Sequence, residues 1–279
     1  EVLVLTRNLK KNPFDNSNIS LVKWNIVNNS YSHDLSEVDG VVNLMGENIA
    51  NKRWTSGQKK KIYSSRIDGT DKLISHLRKT LRRKLQFFIQ ASAIGYYDIG
   101  EQEIDENSPG GKGFLADLCK EWERQSEKLD SDQCERRVTV RIGVVLGRGG
   151  GAFERLHLIF KMGLGGPISD GSQWMSWIHR NDLIGIFKEV ISNSSINGIV
   201  NGVAPNPVTN KQFTKEFSCV LKRPAFFLVP KPMLKLVMGE MSCIVLDSQK
   251  VMPAKLLNHS FKFSFPNLKD ALVDLCGKG

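Results

Sequence analysis

Residues 85–98 constrain the fold of this chain more than any other stretch. They begin with an apolar run, Phe87 to Ile89, and end in small residues followed by Tyr96 and Tyr97. A continuous apolar run is typical of a parallel strand buried on both faces, and ligands bind beyond the carboxyl ends of such strands. We therefore predict a catalytic site where Ser92 and the two tyrosines polarise a carbonyl or orient a hydroxyl. The alternative is that the small residues only let the chain turn.

Similar apolar runs alternate with helical patterns along the first two thirds of the chain. Strands are predicted at residues 2–5, 41–44 and 138–147, and helices at residues 56–81 and 114–129. Strands that alternate with crossover helices are typical of a doubly wound parallel sheet. The sequence therefore predicts an α/β fold of the Rossmann type.

The last quarter of the chain is predicted to form a small C-terminal α+β lobe. Thr209 has the side chain of a helix N-cap, and further helices are predicted at residues 233–239, 240–251 and 268–275. We therefore divide the chain into a dinucleotide-binding domain, residues 1–204, and a lobe, residues 205–279. The lobe is expected to close over the edge of the sheet and to set the choice of substrate.

The net positive charge of the chain arises from one segment. Residues 52–84 contain twelve lysines and arginines against two aspartates, which accounts for the whole net charge of +10. The segment has no interleaved aromatic platform for single strands and no nucleic-acid-binding motif, so we do not expect a nucleic acid partner. A solvated helix face is one interpretation of this segment, and a basic element beside a phosphate-bearing cofactor is the other.

The cysteines and the apolar runs exclude several other classes of protein. The five cysteines are widely scattered and form no CxxC pair, so neither a disulfide framework nor a metal site is indicated. This cysteine usage predicts a reducing, intracellular compartment: the cytoplasm, with the mitochondrion or the nucleus as alternatives. No apolar run approaches the roughly 20 residues of a membrane span, so we expect no membrane partner.

Motifs along the whole chain resemble those of a known enzyme superfamily. Asn43-Leu-Met-Gly46, Ala91-Ser-Ala-Ile-Gly-Tyr-Tyr97 and Trp177-Ile-His-Arg-Asn-Asp-Leu183 are similar to stretches of the extended short-chain dehydrogenase/reductases. An atypical branch, the epimerase-family proteins of family 39U, which are NADP-dependent oxidoreductases, is a closer match. Its motifs here are Gly46-Glu-Asn-Ile49, Arg53-Trp54, Phe114-Leu-Ala-Asp-Leu-Cys119, Gly163-Leu-Gly-Gly-Pro167 and Asn201-Gly-Val-Ala-Pro205.

The resemblance implies a particular cofactor. Thr6 and Arg7 end the strand that resembles the second strand of the superfamily, where the fold meets the adenosine ribose. An arginine there accommodates a 2′-phosphate, which implies NADP rather than NAD. A solvated strand end is the alternative for Arg7. The resemblance places five further residues toward the cofactor: Leu44, Met45, Lys61, Arg66 and Val145.

The sequence departs from the superfamily in two respects. The strand, Gly-rich turn and helix that hold the pyrophosphate are missing, so the sheet is expected to lack its first βα unit. Either the sequence is a shortened form, or NADPH binding is weaker than in a form that carries this unit. Second, the Tyr-x-x-x-Lys couple is replaced by Phe114-Leu-Ala-Asp-Leu118, so proton relay by that couple is not expected.

Two functions follow from this resemblance. The first is an NADP-dependent oxidoreductase or epimerase-like enzyme that acts on an unknown small molecule, with Ser92 orienting the reacting oxygen. The alternative is a non-catalytic dinucleotide-binding or regulatory protein, which the two departures favour. A homodimer is compatible with either function.

Overall fold

The computed structural model describes residues 1–9 and 14–277. In chain order the strands are β1 (Val2–Thr6), β2 (Ile19–Asn25), β3 (Ser30–Tyr31), β4 (Gly40–Asn43), β5 (Phe87–Ala93), β6 (Glu103–Ile104), β7 (Arg137–Ile142), β8 (Val144–Leu146), β9 (Trp174–Met175), β10 (Trp177–His179), β11 (Gly198–Gly202), β12 (Val208–Thr209) and β13 (Lys250–Val251). The α-helices are α1 (Ser56–Thr80), α2 (Phe114–Ser126), α3 (Gly151–Lys161), α4 (Arg180–Ser192), α5 (Asn210–Leu221), α6 (Lys231–Met238), α7 (Cys243–Leu246), α8 (Ala254–Asn258) and α9 (Leu268–Gly277).

A four-stranded parallel sheet forms the centre of the fold, in the order β11, β7, β5, β4. Helix α1 connects β4 to β5, and α2 connects β5 to β7. A second sheet contains β1 and β2 in parallel, with β3 antiparallel at its edge. The strand and helix order confirms the predicted α/β fold with a Rossmann-type parallel sheet.

The two sheets share one apolar core. Within the described residues, β1 and β4 each pair with a single strand. Leu5 of β1 and Val41 of β4 nevertheless pack against the same buried cluster, which contains Trp24 and Phe88. Burial of these apolar side chains therefore joins the sheets although no strand ladder runs between them.

The long helix α1 forms where the sequence predicts it. The hydroxyl of Thr55 accepts a hydrogen bond from the Gln58 N–H and caps the first turn. A stripe that includes Ile62, Ile74 and Leu77 is fully buried. The basic side chains of the segment are therefore confined to the remaining faces of the helix.

The strand predicted at residues 138–147 is two strands, because the chain bends at Gly143. The Gly143 N–H donates to the Gly202 carbonyl, and the next N–H donates to the Ser176 carbonyl. A Cβ at Gly143 would lie 2.5 Å from the Ser176 oxygen, so only glycine admits this approach. After the bend, β8 leaves the central sheet and pairs with β10.

The prediction of one helix at residues 240–251 is wrong. A 3-10 turn, Gly239–Ser242, leads into the four-residue helix α7, and β13 then pairs with β6. The hydroxyl of Ser248 accepts from the Trp174 N–H, and the Gln249 amide donates to the Tyr97 carbonyl. These tertiary hydrogen bonds hold the segment extended, because its side chains pair with distant backbone rather than with a helical turn.

Neither a helix suited to span a membrane nor a cluster of metal ligands occurs among the described residues. Between residues 1–9 and 14–277, no helix combines the length and the apolar character that crossing a bilayer requires. In the same part of the chain, no three His, Cys, Asp or Glu side chains come together in a way that suits a metal ion.

The predicted cap at Thr209 is confirmed and generates a stability test. Its hydroxyl accepts from the Gln212 N–H, and the Gln212 side chain accepts from the Thr209 N–H. Thr209→Ala should lower the free energy of unfolding by about 1 kcal/mol, because a helix donor loses its acceptor. Urea denaturation followed by circular dichroism measures this loss. Thr209→Ser keeps the hydroxyl and should match the unmodified protein, and an unchanged midpoint in Thr209→Ala would contradict the role of the cap.

Candidate functional site

Ser92 lies at the carboxyl end of β5, as predicted. Its side chain is buried, with 3% of the residue exposed. The hydroxyl donates a hydrogen bond to Oε1 of Glu123 on α2, at 2.6 Å. A short bond to a carboxylate is among the stronger hydrogen bonds in proteins, so Ser92 is held in one orientation.

Glu123 is itself fixed by a buried ion pair with Arg141 of β7. Arg141 Nε donates to Oε1 at 2.9 Å, and Nη2 donates to Oε2 at 2.8 Å. The side chain of Arg141 is 4% exposed and that of Glu123 is 10% exposed. Burial alone would lower the pKa of Arg141, but the hydrogen bonds and charge of Glu123 outweigh it, and the pKa is raised. Arg141 is therefore charged throughout the physiological range of pH.

Arg141 also contacts both predicted tyrosines. Its guanidinium carbon lies 3.3 Å from the ring centroid of Tyr96 and 4.8 Å from that of Tyr97. The tyrosine rings meet edge to face at 5.4 Å. A guanidinium over an aromatic face is an attractive contact, especially where water is excluded. Arg141 thus gathers Ser92, Tyr96 and Tyr97 around one positive charge.

Tyr97 connects this cluster to strand β11 through a hydrogen bond. Its hydroxyl donates to Oδ1 of Asn201 at 2.7 Å, and burial raises its pKa to about 12. The Asn201 N–H donates in turn to Glu106. Ser92, Arg141 and Asn201 lie opposite one another in the registers of β5, β7 and β11. These side chains therefore form a polar row across the carboxyl end of the sheet.

The face of helix α2 that is turned toward Ser92 does not carry the tyrosine and lysine of the Tyr-x-x-x-Lys couple. Leu115 packs near Gly95, and Cys119 and Glu123 follow it at intervals of one helical turn. Burial raises the pKa of Cys119 to about 11, so its thiol stays protonated at neutral pH. The ionised group that this helix offers to Ser92 is the carboxylate of Glu123.

The residues predicted to meet the adenosine half of a cofactor lie at two strand ends. Arg7 follows β1 and is exposed, whereas the Thr6 hydroxyl donates to the Asn8 carbonyl. Leu44 follows β4 and is 62% exposed, and Met45 packs against the core between the sheets. An exposed apolar side chain and an exposed cation beyond parallel strands fit an adenine and a phosphate.

The two cations predicted on α1 have different environments. Arg66 donates to the carbonyls of Glu47 and Ile62, and its guanidinium lies 5.0 Å from the Trp122 ring. Burial lowers its pKa. Lys61 is exposed. The structure therefore does not bring Lys61 and Arg66 together.

Val145 and Gly46 lie near the carboxyl ends of the strands, where the cofactor is expected to bind. Val145 lies in β8 opposite Ile178 and packs into the core beside β7. A Cβ at Gly46 would lie 2.9 Å from the Arg66 guanidinium, so the backbone there approaches a cation closely. The guanidinium of Arg66 therefore lies against the backbone directly beyond β4.

Three central residues of the cluster were missed by the sequence reasoning: Glu123, Arg141 and Asn201. One signal was available for Arg141. It interrupts an apolar strand, and a charged side chain in a buried strand must have a partner. Nothing in the sequence spacing identifies that partner as Glu123.

A separate cavity of about 390 Å³ lies between α3 and α9, away from Ser92. It contains none of the predicted site residues and is lined by Arg148, Phe153, Glu154, His157, Lys161, Leu221, Arg223, Leu275 and Cys276. The Ser92 cluster is therefore identified by its chemistry and its place in the sheet rather than by cavity volume.

Comparison with protein families gives two matches. Residues 1–201 match the NAD dependent epimerase/dehydratase family. Residues 229–275 match a domain of unknown function, DUF1731. The boundary that we place after residue 204 stays a prediction.

Individual proteins match over most of the chain. The Epimerase family protein SDR39U1 of Mus musculus is 40% identical over 242 residues, 85% of this chain and 82% of the mouse protein. The Epimerase family protein SDR39U1 homolog, chloroplastic, of Arabidopsis thaliana is 41% identical over 234 residues, 83% of this chain and 67% of that protein. The crystal structure of human epimerase family protein SDR39U1 (isoform2) with NADPH aligns with a TM-score of 0.90 at 35% identity, covering 100% of this chain and 92% of that one.

The buried ion pair gives a prediction for stability. Glu123→Gln and Arg141→Met should each lower the free energy of unfolding by about 3–5 kcal/mol, because each leaves an unpaired buried charge. The double variant Glu123→Gln/Arg141→Met should lose much less than the sum. Denaturant unfolding of the four proteins measures the coupling. The exposed pair Arg124 and Glu121 on the same helix is the control, with an expected coupling of about 0.5 kcal/mol. Additive losses at Glu123 and Arg141 would contradict this account.

Proposed function

This chain belongs to the NAD dependent epimerase/dehydratase family, and we propose that it is an NADP(H)-dependent oxidoreductase or epimerase-like enzyme that acts on a small molecule. The observation that carries the proposal is the hydrogen bond from Ser92 to Glu123 at the carboxyl end of β5. Ligands of such sheets bind beyond this edge, and a hydroxyl paired with a carboxylate can move a proton.

NADP(H) is proposed as the cofactor on two grounds. A relative that aligns over the whole chain has been crystallised with NADPH. In this chain, Arg7 is an exposed cation directly after β1, where a 2′-phosphate is recognised in this fold. Leu44 would contact the adenine, and Gly46 would let the backbone approach the ligand. When bound, the cofactor supplies or accepts a hydride.

Side chains of this protein would accept the proton that leaves the substrate hydroxyl. Because the Ser92 hydroxyl donates to Glu123, its oxygen accepts a hydrogen bond from a substrate hydroxyl. As that hydroxyl is oxidised, its proton passes to Ser92 while the Ser92 proton moves to the Glu123 carboxylate. Arg141 holds the carboxylate in place through two hydrogen bonds. Reduction of a carbonyl follows the reverse path.

A second candidate function is dinucleotide binding without catalysis. It is favoured by the burial of Ser92, which is 3% exposed. The Tyr97 hydroxyl is also engaged by Asn201, and α2 presents Leu115 and Cys119 near the strand end. In this function Arg7 would still select NADP(H), but the Ser92 cluster would only stabilise the sheet edge.

Cofactor preference is the first test of the proposal. NADPH should bind this chain more tightly than NADH by about tenfold or more, because a charge-assisted contact to the 2′-phosphate contributes about 1–3 kcal/mol. Arg7→Ala should lose most of this difference in calorimetric titrations. Lys23→Ala is the matched control, since Lys23 is an exposed cation that lies opposite Thr6 in the neighbouring strand. Equal binding of the two cofactors by the unmodified chain would refute the assignment.

The role of Ser92 is the second test and separates the two candidate functions. With NADPH bound, a panel of sugar and small carbonyl compounds is screened by the loss of nicotinamide absorbance. On any substrate found, Ser92→Ala should lower kcat by about 10²–10⁴-fold while the Kd for NADPH stays unchanged. Ser92→Thr, which keeps a hydroxyl, should retain part of the activity. NADPH binding without turnover across the panel would favour the non-catalytic function.

A further inference from the structure

Helix α6 is apolar, yet none of its residues is buried. Leu236 is 78% exposed, Val237 is 59% exposed and Met233 is 56% exposed. The helix touches the rest of the fold mainly near its end, where Arg53 donates to the Leu236 carbonyl and Met238 packs near Trp54. A helix with apolar residues around its circumference is normally covered, because exposed apolar surface is costly in water.

The exposed apolar residues of α6 belong to a larger surface. Residues 163–169 are hydrogen-bonded to residues 224–229, which lead directly into α6. Helix α3 and α6 both contact the loop after β4, through Arg155 to Ala50 and through Arg53 to Leu236. We define the apolar surface by ten side chains that are 42–78% exposed: Leu158, Ile159, Met162, Leu164, Phe226, Phe227, Leu228, Met233, Leu236 and Val237.

Ten exposed apolar side chains on neighbouring segments point to an interaction. Monomeric soluble proteins rarely expose a contiguous apolar patch larger than roughly a few hundred Å². The apolar surface includes two adjacent phenylalanines, with ring centroids 4.9 Å apart. Large apolar and aromatic side chains at the tips of a helix and a loop suit insertion between lipid headgroups.

The two segments that form the apolar surface carry charge of one sign. Residues 155–169 and 217–239, which supply all ten side chains of the apolar surface, contain no aspartate or glutamate. Acidic residues directly flank these segments at Glu154, Asp170, Glu216 and Glu240, and Glu240 is paired with Lys59. The same two segments contain six lysines and arginines: Arg155, Lys161, Lys222, Arg223, Lys231 and Lys235. The occupant of this surface should therefore be both apolar and negatively charged.

A basic cavity adjoins the apolar surface. The cavity of about 390 Å³ between α3 and α9 is lined by Arg148, His157, Lys161 and Arg223. Lys161 also borders the apolar surface, since it directly precedes Met162, and Arg223 lies three residues before Phe226 in the chain. The acidic side chain at the cavity, Glu154, accepts from the Gly149 N–H. A phosphate-bearing headgroup would fit this cavity, with its acyl chains toward the apolar side chains.

We propose that the apolar surface docks on an anionic phospholipid bilayer. The charge argues against a second copy of this chain, because an isologous contact would bring the same cations together. An anionic bilayer complements both the cations and the apolar tips. The expectation of no membrane partner rested on the lack of a spanning segment, and a peripheral contact requires none.

Vesicle sedimentation tests this proposal with the whole chain. The bound fraction should be several-fold higher on vesicles of phosphatidylcholine with phosphatidylglycerol than on phosphatidylcholine alone, and should fall with added salt. Phe226→Ser/Leu236→Ser should weaken partitioning by about tenfold or more. Val27→Ser/Ile99→Ser is the matched control, because Val27 and Ile99 are 85% and 57% exposed elsewhere.

Charge variants separate this surface from the basic helix α1. Lys231→Glu/Lys235→Glu should abolish the preference for phosphatidylglycerol, whereas Lys79→Glu/Lys84→Glu, at exposed positions on and after α1, should retain it. Inorganic phosphate should lower the bound fraction no more than sodium chloride of the same ionic strength, because the apolar contact also contributes to binding. Circular dichroism of each variant checks that it folds.

Three results would overturn the proposal. The first is a bound fraction that is the same on both kinds of vesicle, or no binding to either kind. The second is loss of binding in Lys79→Glu/Lys84→Glu but not in Lys231→Glu/Lys235→Glu. The third is a dimer in light scattering that Phe226→Ser/Leu236→Ser converts to a monomer, which would assign the surface to a second copy of the chain.

Discussion

The ion pair between Glu123 and Arg141 is the interaction on which the candidate site depends. Arg141 lies in the middle strand of a polar row, with Ser92 on one side and Asn201 on the other. Glu123 comes from the helix above and uses one oxygen for both Ser92 and Arg141. A buried pair of this kind contributes little net stability compared with apolar packing, but it requires each partner to stay in place. The pair therefore determines where Ser92 and the two tyrosines lie more than it stabilises the fold.

The same arrangement is compatible with two functions, which differ in whether a substrate can reach the Ser92 hydroxyl. A hydroxyl bound to a carboxylate is suited to proton transfer, yet Ser92 is almost completely covered. Helix α2 offers Ser92 the carboxylate of Glu123, and its Leu115 and Cys119 carry neither a phenol nor an amine. Dinucleotide recognition depends on other residues, beyond β1 and β4, so it does not depend on how this cluster is used. Cofactor binding and catalysis can therefore be examined independently in this chain.

The proposed bilayer contact and the candidate site share one part of the structure, the loop after β4. Arg53 in this loop contacts α6, and Ala50 and Asn51 accept hydrogen bonds from Arg155 of α3. Gly46, at the start of the same loop, lies beside the guanidinium of Arg66. The loop after β4 is therefore the part of the chain that lies between the apolar surface and the strand end where a cofactor is proposed.

The sequence by itself determined the strands, the long helix and the place of Ser92, because the apolar periodicities of strands and helices are local properties. It also determined the cap at Thr209, which depends on residues three positions apart. Only the tertiary structure decided that Arg141 pairs with Glu123, since the two meet through strand register and helix packing rather than through spacing. The bend at Gly143 and the extended segment after α7 were likewise set by distant backbone, at Ser176 and Trp174. The exposure of α6 was also decided at this level, because an apolar pattern predicts burial but does not specify the surface against which a helix packs.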